Sequence, residues 1–139
     1  MKISILISSY NKGKYIRECI ESCLIQEDQK LEIILFDNYS NDETDQILLD
    51  FQNKIQIYKS QKISDFSAIN QIDLLRKAFE VSSGEIICLL DADDYFKKEK
   101  IKNVRNFFER EISKDVLFDL PTIKSAKNFE KFKLKKNFF

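Results

Sequence analysis

The chain has 139 residues, of which 43% are hydrophobic and 33% charged, enough for the core of one ordinary domain. Its 23 Lys and Arg balance its 23 Asp and Glu, so the chain lacks the positive field typical of nucleic-acid binders, and we expect no nucleic-acid partner. The absence of His excludes a Ser-His-Asp triad and His-based zinc sites, and two glycines are too few for a dinucleotide fingerprint or a Walker A loop, which leaves acid–base and metal chemistry to carboxylates.

Short apolar runs alternate with segments of helical periodicity along the chain. The runs at residues 2–7, 31–36, 54–59 and 85–90 predict four strands, and residues 97–110 predict the helix after the fourth. This alternation is typical of an α/β fold with a mostly parallel sheet flanked by helices. We therefore predict a Rossmann-like α/β architecture.

The predicted helices each place apolar residues on one face. Ser40 to Glu43 has the S-x-x-E form of a capping box, which predicts that the second helix begins there. We interpret Arg76 and Lys77 as surface charges of the third helix, with contact to a phosphate as the alternative. The residues predicted to face the sheet are Tyr15, Ile16, Cys19, Ile20, Cys23 and Leu24 in the first helix, Ile47, Leu48 and Phe51 in the second, Ile72, Leu75 and Phe79 in the third, and Ile101, Val104 and Phe108 in the fourth.

Polar side chains follow three of the predicted strands, and ligands of open α/β sheets bind at the carboxyl ends of the strands. Three carboxylates within four residues repel one another unless a cation lies between them, so the last group predicts an oxygen-ligated Mg²⁺ or Mn²⁺. A nucleotide with metal-bound phosphates would fit the whole set. The groups are Ser8, Ser9 and Tyr10 after the first strand, Asp37 and Asn38 after the second, and Asp91, Asp93 and Asp94 after the fourth.

Other interpretations of these residues stay open or are excluded by position. Asp37 alone could cap the following helix, and Tyr10 could be a partly buried turn aromatic instead of a stacking face for a base. An EF-hand loop starting at Asp91 is excluded, because Phe96 and Lys102 stand where it requires Gly and Glu. A metal-dependent phosphatase of the haloacid-dehalogenase type, which also uses D-x-D after a strand, remains a weaker alternative.

Three segments together resemble the family 2 glycosyltransferases of GT-A fold: ISILISSYN at 3–11, EIILFDNYSND at 32–42 and GEIICLLDADD at 84–94. The resemblance implies transfer of a sugar from a nucleoside diphosphate donor, with a UDP-sugar favoured, to a glycan or lipid-linked acceptor. It further implies inversion at the anomeric carbon and a divalent metal that bridges the diphosphate. From the bacterial members of this family, the resemblance also implies a role in the assembly of a surface polysaccharide or lipooligosaccharide.

The resemblance also implies roles for individual residues. Ser8, Ser9 and Tyr10 are expected to line the nucleotide site, and Asp37 and Asn38 to meet the base. Three positions depart from the family pattern: Ser8 stands where Pro is frequent, Asn38 where a second acid is frequent, and Tyr39 where Gly is frequent. An amide offers both a donor and an acceptor, so Asn38 keeps base binding and leaves the identity of the base open.

The third segment carries the roles implied for the metal. Asp91 is expected to face the ribose or the metal, Asp93 to be the main metal ligand, and Asp94 to be the next candidate. In the family the acceptor site and the catalytic base lie beyond the D-x-D segment, and only 45 residues follow Asp94 here, so no base is assigned.

The domain organisation follows from the same resemblance. Residues 1–115 are predicted to form the domain that binds the nucleotide-diphospho-sugar. After this domain, residues 116–118 are a candidate fifth strand that ends before Pro121. Residues 116–139 are either the start of an acceptor half or a Lys- and Phe-rich tail. A truncated, catalytically silent nucleotide-binding module is the alternative function.

The last residues also bear on membrane contact. Six Lys and four Phe are interspersed in residues 124–139, which makes this segment a candidate for peripheral contact with a membrane, with packing on neighbouring structure as the alternative. No apolar run approaches the roughly 18 residues of a membrane span. We therefore expect a cytoplasmic protein, located at the inner face of the membrane if the tail binds lipid.

Overall fold

A parallel β-sheet organises the part of the chain that the computed structural model describes, which is residues 1–27, 30–111 and 113–118 with the backbone of 122–124 and 129–131. Its strands are β1 (Ile3–Ser9), β2 (Leu31–Asp37), β3 (Gln56–Lys59) and β4 (Ile86–Asp91). They lie in the order β3-β2-β1-β4, and all three neighbouring pairs are parallel. The predicted α/β class is thus confirmed.

A helix follows each of these strands, as parallel connections require. The helices are α1 (Gly13–Leu24), α2 (Thr44–Leu48), which continues into a 3₁₀ turn at Leu49–Phe51, α3 (Ser67–Val81) and α4 (Lys100–Arg110). Two short strands, β5 (Thr122–Lys124) and β6 (Phe129–Lys131), form a separate antiparallel pair. No helix among the described residues is long and apolar enough to cross a membrane.

The alternating side chains of β1 divide the core between the two faces of the sheet. On one face, Ile3, Ile5 and Ile7 belong to a large cluster to which α1, α2 and α4 contribute, and all three cysteine side chains are buried in it. On the other face, Leu6 belongs to a small cluster under α3. The apolar faces predicted for α2 and α4 are confirmed, because their residues are buried or packed against the large cluster. In α1 the same holds for Ile16, Cys19, Ile20 and Cys23, whereas Tyr15 and Leu24 are 43% and 37% exposed, contrary to the prediction.

The face predicted for α3 is wrong. Ile72 and Phe79 are 67% and 60% exposed, and Leu75 is only partly buried, whereas Leu74 and Ala78 pack onto the sheet. The helix also buries polar side chains, among them Asp73, which forms ion pairs with Arg76 and Lys77. Because the paired Asp73 carboxylate is buried, the orientation of α3 differs from the one that its large apolar residues alone predict.

Two further sequence predictions are corrected by the structure. Helix α2 begins at Thr44, four residues after the start of the predicted capping box, because the Ser40 hydroxyl donates to Asp37 and the Asp42 carboxylate accepts from the Thr44 N–H. Residues 116–118 are not a strand, and Phe118 is 90% exposed, since no neighbouring strand pairs with them in the described part of the chain. Pro121 and most of residues 124–139 lie outside the described residues.

Candidate functional site

A cleft of about 570 Å³ lies at the carboxyl ends of β1, β2 and β4. The first turns of α3 and the loop before it close its other side. The structure therefore brings together six of the eight residues that the sequence predicts for the site. These are Ser8, Ser9, Tyr10, Asn38, Asp91 and Asp93.

Asp37 does not line this cleft. Its carboxylate is fully buried and accepts hydrogen bonds from the Ser40 N–H at 2.8 Å and the Ser40 hydroxyl at 2.6 Å. The Lys59 ammonium, on the neighbouring strand, is the third donor to the Asp37 carboxylate, at 2.8 Å. Because three donors engage this carboxylate, Asn38 is the member of the pair that faces the cleft.

The loops after β1 and β2 are held to each other by side-chain hydrogen bonds. Asn11 and Tyr39 have φ angles of 51° and 52°, in the left-handed region, which turns each loop sharply at the end of its strand. The backbone N–H groups of Asn11, Lys12 and Gly13 donate to the side chains of Ser40, Thr44 and Asp42, respectively, and the Asn41 N–H donates to the side chain of Asn11. The four donor–acceptor distances are 2.8 to 3.0 Å. This side of the cleft is therefore shaped before any ligand binds.

The hydroxyl of Ser9 lacks a hydrogen-bond partner among the described residues, although Ser9 is only 2% exposed. A buried hydroxyl without a partner costs about 1–3 kcal/mol. Since Ser9 lines the cleft, a polar group of a bound ligand can satisfy this hydroxyl. The unsatisfied atom is thus a structural indication of a ligand at the end of β1.

The acidic residues after β4 are partly compensated by neighbouring groups. The Asp93 carboxylate lies 2.5 Å from the Lys12 ammonium, and Asp91 accepts a hydrogen bond of 2.6 Å from the Gln71 amide. Burial raises the pKa of Asp94, and the charges of Asp93 and Asp91 raise it further. Asp94 lines an adjacent groove rather than the cleft.

The donor chemistry of these residues can be tested against a divalent cation. Within the described ranges, no three acidic or thiol side chains converge into a complete metal centre. The carboxylate oxygens of Asp91 and Asp93 nevertheless line one cleft, which fits Mg²⁺ or Mn²⁺ held by one or two carboxylates and by the phosphates of a ligand. The residues therefore fit a metal that arrives with its substrate.

Several cleft residues were missed by the sequence predictions. Lys12 lines the cleft beside Asp93, and Lys62 places its ammonium 3.3 Å from the centre of the Tyr10 ring. Gln71, from the first turns of α3, donates to Asp91. The only sequence signal was for Lys12, which stands three residues after β1; Lys62 and Gln71 reach the cleft through the path of the β3–α3 segment, which no local pattern encodes.

Comparison of the sequence with known proteins identifies its relatives. Residues 4–138 match the family model described as glycosyl transferase family 2. The poly(ribitol-phosphate) β-N-acetylglucosaminyltransferase TarS of Staphylococcus aureus is 32% identical over 119 residues, which are 84% of this chain and 20% of that protein. An uncharacterized glycosyltransferase of Mycoplasma pneumoniae is 32% identical across 97% of this chain and 44% of its own length.

The fold also matches solved structures of glycosyltransferases. The crystal structure of TarS residues 1–349 in complex with UDP-GlcNAc matches with a TM-score of 0.64 at 28% identity, over 81% of this chain and 32% of that one. A mannosyltransferase of Pyrobaculum calidifontis, in complex with GDP-Man and Mn²⁺, shares the fold with a TM-score of 0.64 at 18% identity, over 77% of this chain and 32% of that chain. This chain thus spans less than half the length of the relatives that it matches. On the sequence match and the shared architecture together, the chain belongs to glycosyl transferase family 2 and has a GT-A-like sheet.

Proposed function

We propose that this chain binds a nucleoside diphosphate sugar, with a UDP-sugar favoured, for transfer of the sugar to a glycan or lipid-linked acceptor. The observation that carries the proposal is the single cleft in which three strand ends place hydroxyl, aromatic and amide groups opposite carboxylates. Such a cleft offers polar partners to a base and ribose on one side and charge to a diphosphate on the other.

The residues divide into two groups within this proposal. Ser8, Ser9, Tyr10 and Asn38 contact the nucleoside, and the unsatisfied Ser9 hydroxyl supports a polar ligand there. Asp91 is adjacent to the ribose or to the metal. The chain contains no glycine-rich phosphate loop, so Lys12, Lys62 and a bound divalent cation are available to balance the charge of the diphosphate.

Asp93 is the main proposed ligand of Mn²⁺ or Mg²⁺, with Asp91 as its partner and Asp94 as the next candidate. When bound, the metal supplies neutralisation of the charge that develops on the departing diphosphate. Asp93 already pairs with the Lys12 ammonium, so this corner of the cleft accommodates positive charge. The mannosyltransferase that shares this fold is in complex with Mn²⁺, which supports the use of a divalent metal.

The finer points of the proposal rest on the family. TarS structures contain UDP and UDP-GlcNAc, which supports a uridine donor for this chain. Inversion at the anomeric carbon is carried from the family resemblance. The name of TarS contains the polymer poly(ribitol-phosphate), which supports a polymeric acceptor for this chain. Assembly of a surface polysaccharide is carried from the family resemblance.

Calorimetric titration of the chain with UDP, in the presence and absence of Mn²⁺, tests the proposal. We expect Mn²⁺-dependent binding of UDP that weakens at least about tenfold in Asp93→Ala, because a main metal ligand is lost. Asp50→Ala is the matched control, since Asp50 is an exposed aspartate that pairs with Arg17 and does not line the cleft. Equal affinities of Asp93→Ala and Asp50→Ala would contradict the metal assignment.

A second candidate function is a nucleotide-binding module without catalytic activity. The observation that favours it is that the cleft residues are assigned to nucleotide and metal binding, while no described residue is assigned as a catalytic base. Hydrolysis of a UDP-sugar by the purified chain, or sugar transfer to an added acceptor, would exclude this candidate. Metal-dependent UDP binding without turnover would favour it.

A further inference from the structure

A buried ion pair on α3 reaches the segment that supports Asn38. Asp73 is 6% exposed, and its carboxylate lies 2.5 Å from the Lys77 ammonium and 2.9 Å from the Arg76 guanidinium. The same ammonium donates to the Ser60 hydroxyl at 2.6 Å. Hydrogen bonds from Lys77 and then Arg76 hold the pKa of Asp73 below its usual range, against the effect of burial. Lys77 is therefore not the free surface charge that its sequence position indicates.

Ser60 connects this ion pair to the cleft. The amide nitrogen of Asn38 donates to the Ser60 backbone carbonyl at 2.9 Å. The Ser60 N–H in turn donates to the backbone carbonyl of Asp37 at 2.9 Å. Lys77 thus holds Ser60 from one side while Ser60 holds Asn38 from the other.

This contact decides which way the Asn38 amide points. A backbone carbonyl can only accept a hydrogen bond, so the NH₂ group of Asn38 must face Ser60. The side-chain oxygen, Oδ1, is then directed away from Ser60, and Asn38 lines the cleft. What Asn38 offers a ligand is an acceptor.

An acceptor at this position discriminates between bases. Uracil carries an N–H at N3 and guanine an N–H at N1, and either can donate to Oδ1. Cytosine at N3 and adenine at N1 present a lone pair instead. The ring nitrogen and Oδ1 are then two acceptors that repel each other and form no hydrogen bond. The loss of a single hydrogen bond in a binding site reduces affinity by about five- to tenfold.

We propose that Lys77 is a positioning residue that, through Ser60, fixes the Asn38 amide as an acceptor and so selects nucleoside diphosphates of uracil or guanine over those of cytosine or adenine. The proposal rests on the proposed function, because it requires a nucleoside diphosphate in the cleft. It adds a residue outside the cleft to the determinants of specificity.

Arg76 provides a matched control for Lys77. Both side chains place one positive charge on the same Asp73 carboxylate, but only Lys77 contacts Ser60. We expect the wild-type chain to bind UDP or GDP at least about tenfold more tightly than CDP and ADP in calorimetric titrations with Mn²⁺. Lys77→Met is expected to reduce this ratio about five- to tenfold, and Arg76→Met to leave it unchanged.

Ser60→Ala is the second variant, because it removes the hydroxyl that Lys77 contacts and keeps both the backbone carbonyl and the Asp73 ion pairs. Ser60→Ala is expected to reduce the preference for UDP or GDP over CDP and ADP, as Lys77→Met does, because Ser60 then loses its contact with Lys77. Thermal unfolding of each variant separates a loss of folding from a loss of discrimination.

The outcomes distinguish this proposal from the function on which it rests. An unchanged ratio in both Lys77→Met and Ser60→Ala, or an equal change in Lys77→Met and Arg76→Met, overturns the positioning role and leaves nucleotide binding intact. Uniform weakening of all four nucleotides identifies a structural role only and also overturns it. A folded wild-type chain that binds none of the four overturns the proposed function and this inference together.

Discussion

Tyr39 has a backbone conformation that disfavours its own side chain. Its φ angle of 52° lies in the left-handed region, and the residue is 52% exposed, so burial of the ring does little to offset the conformational cost. That conformation costs a residue with a Cβ about 1–2 kcal/mol, whereas Gly adopts it without steric penalty. Tyr39 is also the position at which the related family frequently has Gly.

Tyr39→Gly is therefore expected to raise the free energy of unfolding by about 1 kcal/mol, measured by urea denaturation. Asn11→Gly is the control, because Asn11 has a φ angle of 51° but its side chain accepts a hydrogen bond from the Asn41 N–H. Asn tolerates this region well, so the control gains nothing from Gly. A lower urea midpoint for Tyr39→Gly than for the wild-type chain would contradict the prediction.

At the scale of elements, the amino ends of β1 and β2 meet in a polar cluster at the opposite end of the strands from the cleft. The Glu32 carboxylate accepts from the Ser4 hydroxyl at 2.5 Å and the Ser83 N–H at 2.6 Å, and pairs with the Lys2 ammonium at 2.6 Å. Burial raises the pKa of Glu32, but these hydrogen bonds outweigh it and lower the pKa from 4.5 to about 2. The ionised carboxylate therefore stabilises the fold.

The stabilisation by Glu32 is expected to depend on pH. A carboxyl group with a lowered pKa contributes its full stabilisation above pH 4.5 and loses it as the pH falls towards 2. Glu32→Gln is expected to lower the free energy of unfolding by about 2 kcal/mol at pH 7. This difference from the wild-type chain is expected to shrink as the pH falls towards 2. Urea denaturation across this pH range measures the difference, with Glu80→Gln, in an exposed pair with Arg76, as the control. A difference that does not vary with pH would argue against the assigned pKa.

The elements differ in how far the sequence predicts them. Strands β1, β2 and β4 are continuous apolar runs that end in polar residues, and such runs are typical of strands buried on both faces. Their shared edge, and hence the meeting of Ser9, Asn38 and Asp91 in one cleft, follows from parallel pairing. Helix α3 was misjudged because its inner face includes Asp73, whose burial depends on Lys77 and Arg76 and not on hydrophobicity.

The same limit applies to the candidate site. The engagement of Asp37 depends on Lys59, which stands opposite it in the register of β2 and β3, and only the pairing of the two strands shows this. Lys62 and Gln71 enter the cleft from a segment whose path is set by tertiary packing. Sequence reasoning thus finds groups that follow strands directly and misses those that later segments bring to them.

At the scale of the whole molecule, the two faces of the sheet are covered unequally. Helices α1, α2 and α4 contribute to the core on one face, while α3 packs on the other against β1 and β2. Among the described strands of this sheet β4 is at an edge, and Leu89 is 60% exposed in an open groove that Leu75 also lines. An apolar side chain on an uncovered edge strand favours association between molecules.

The isolated chain is therefore expected to self-associate as its concentration rises, and Leu89→Lys is expected to reduce this association. Sedimentation velocity over a range of concentrations measures the change. Leu49→Lys is the control, because Leu49 is 55% exposed in the 3₁₀ turn after α2, away from β4. If both variants associate as the wild-type chain does, the exposed surface at β4 is not the cause.

The hydrogen bonds that join the loops after β1 and β2 have a consequence for how this fold diversifies. The side chains that make them, those of Asn11, Ser40, Asp42 and Thr44, are different from the side chains that line the cleft. Under the proposed function, substitution at Tyr10 or Asn38 can therefore alter which nucleotide binds while the loops keep their shape. Nucleotide preference can then change one residue at a time on a scaffold whose architecture is maintained by other positions.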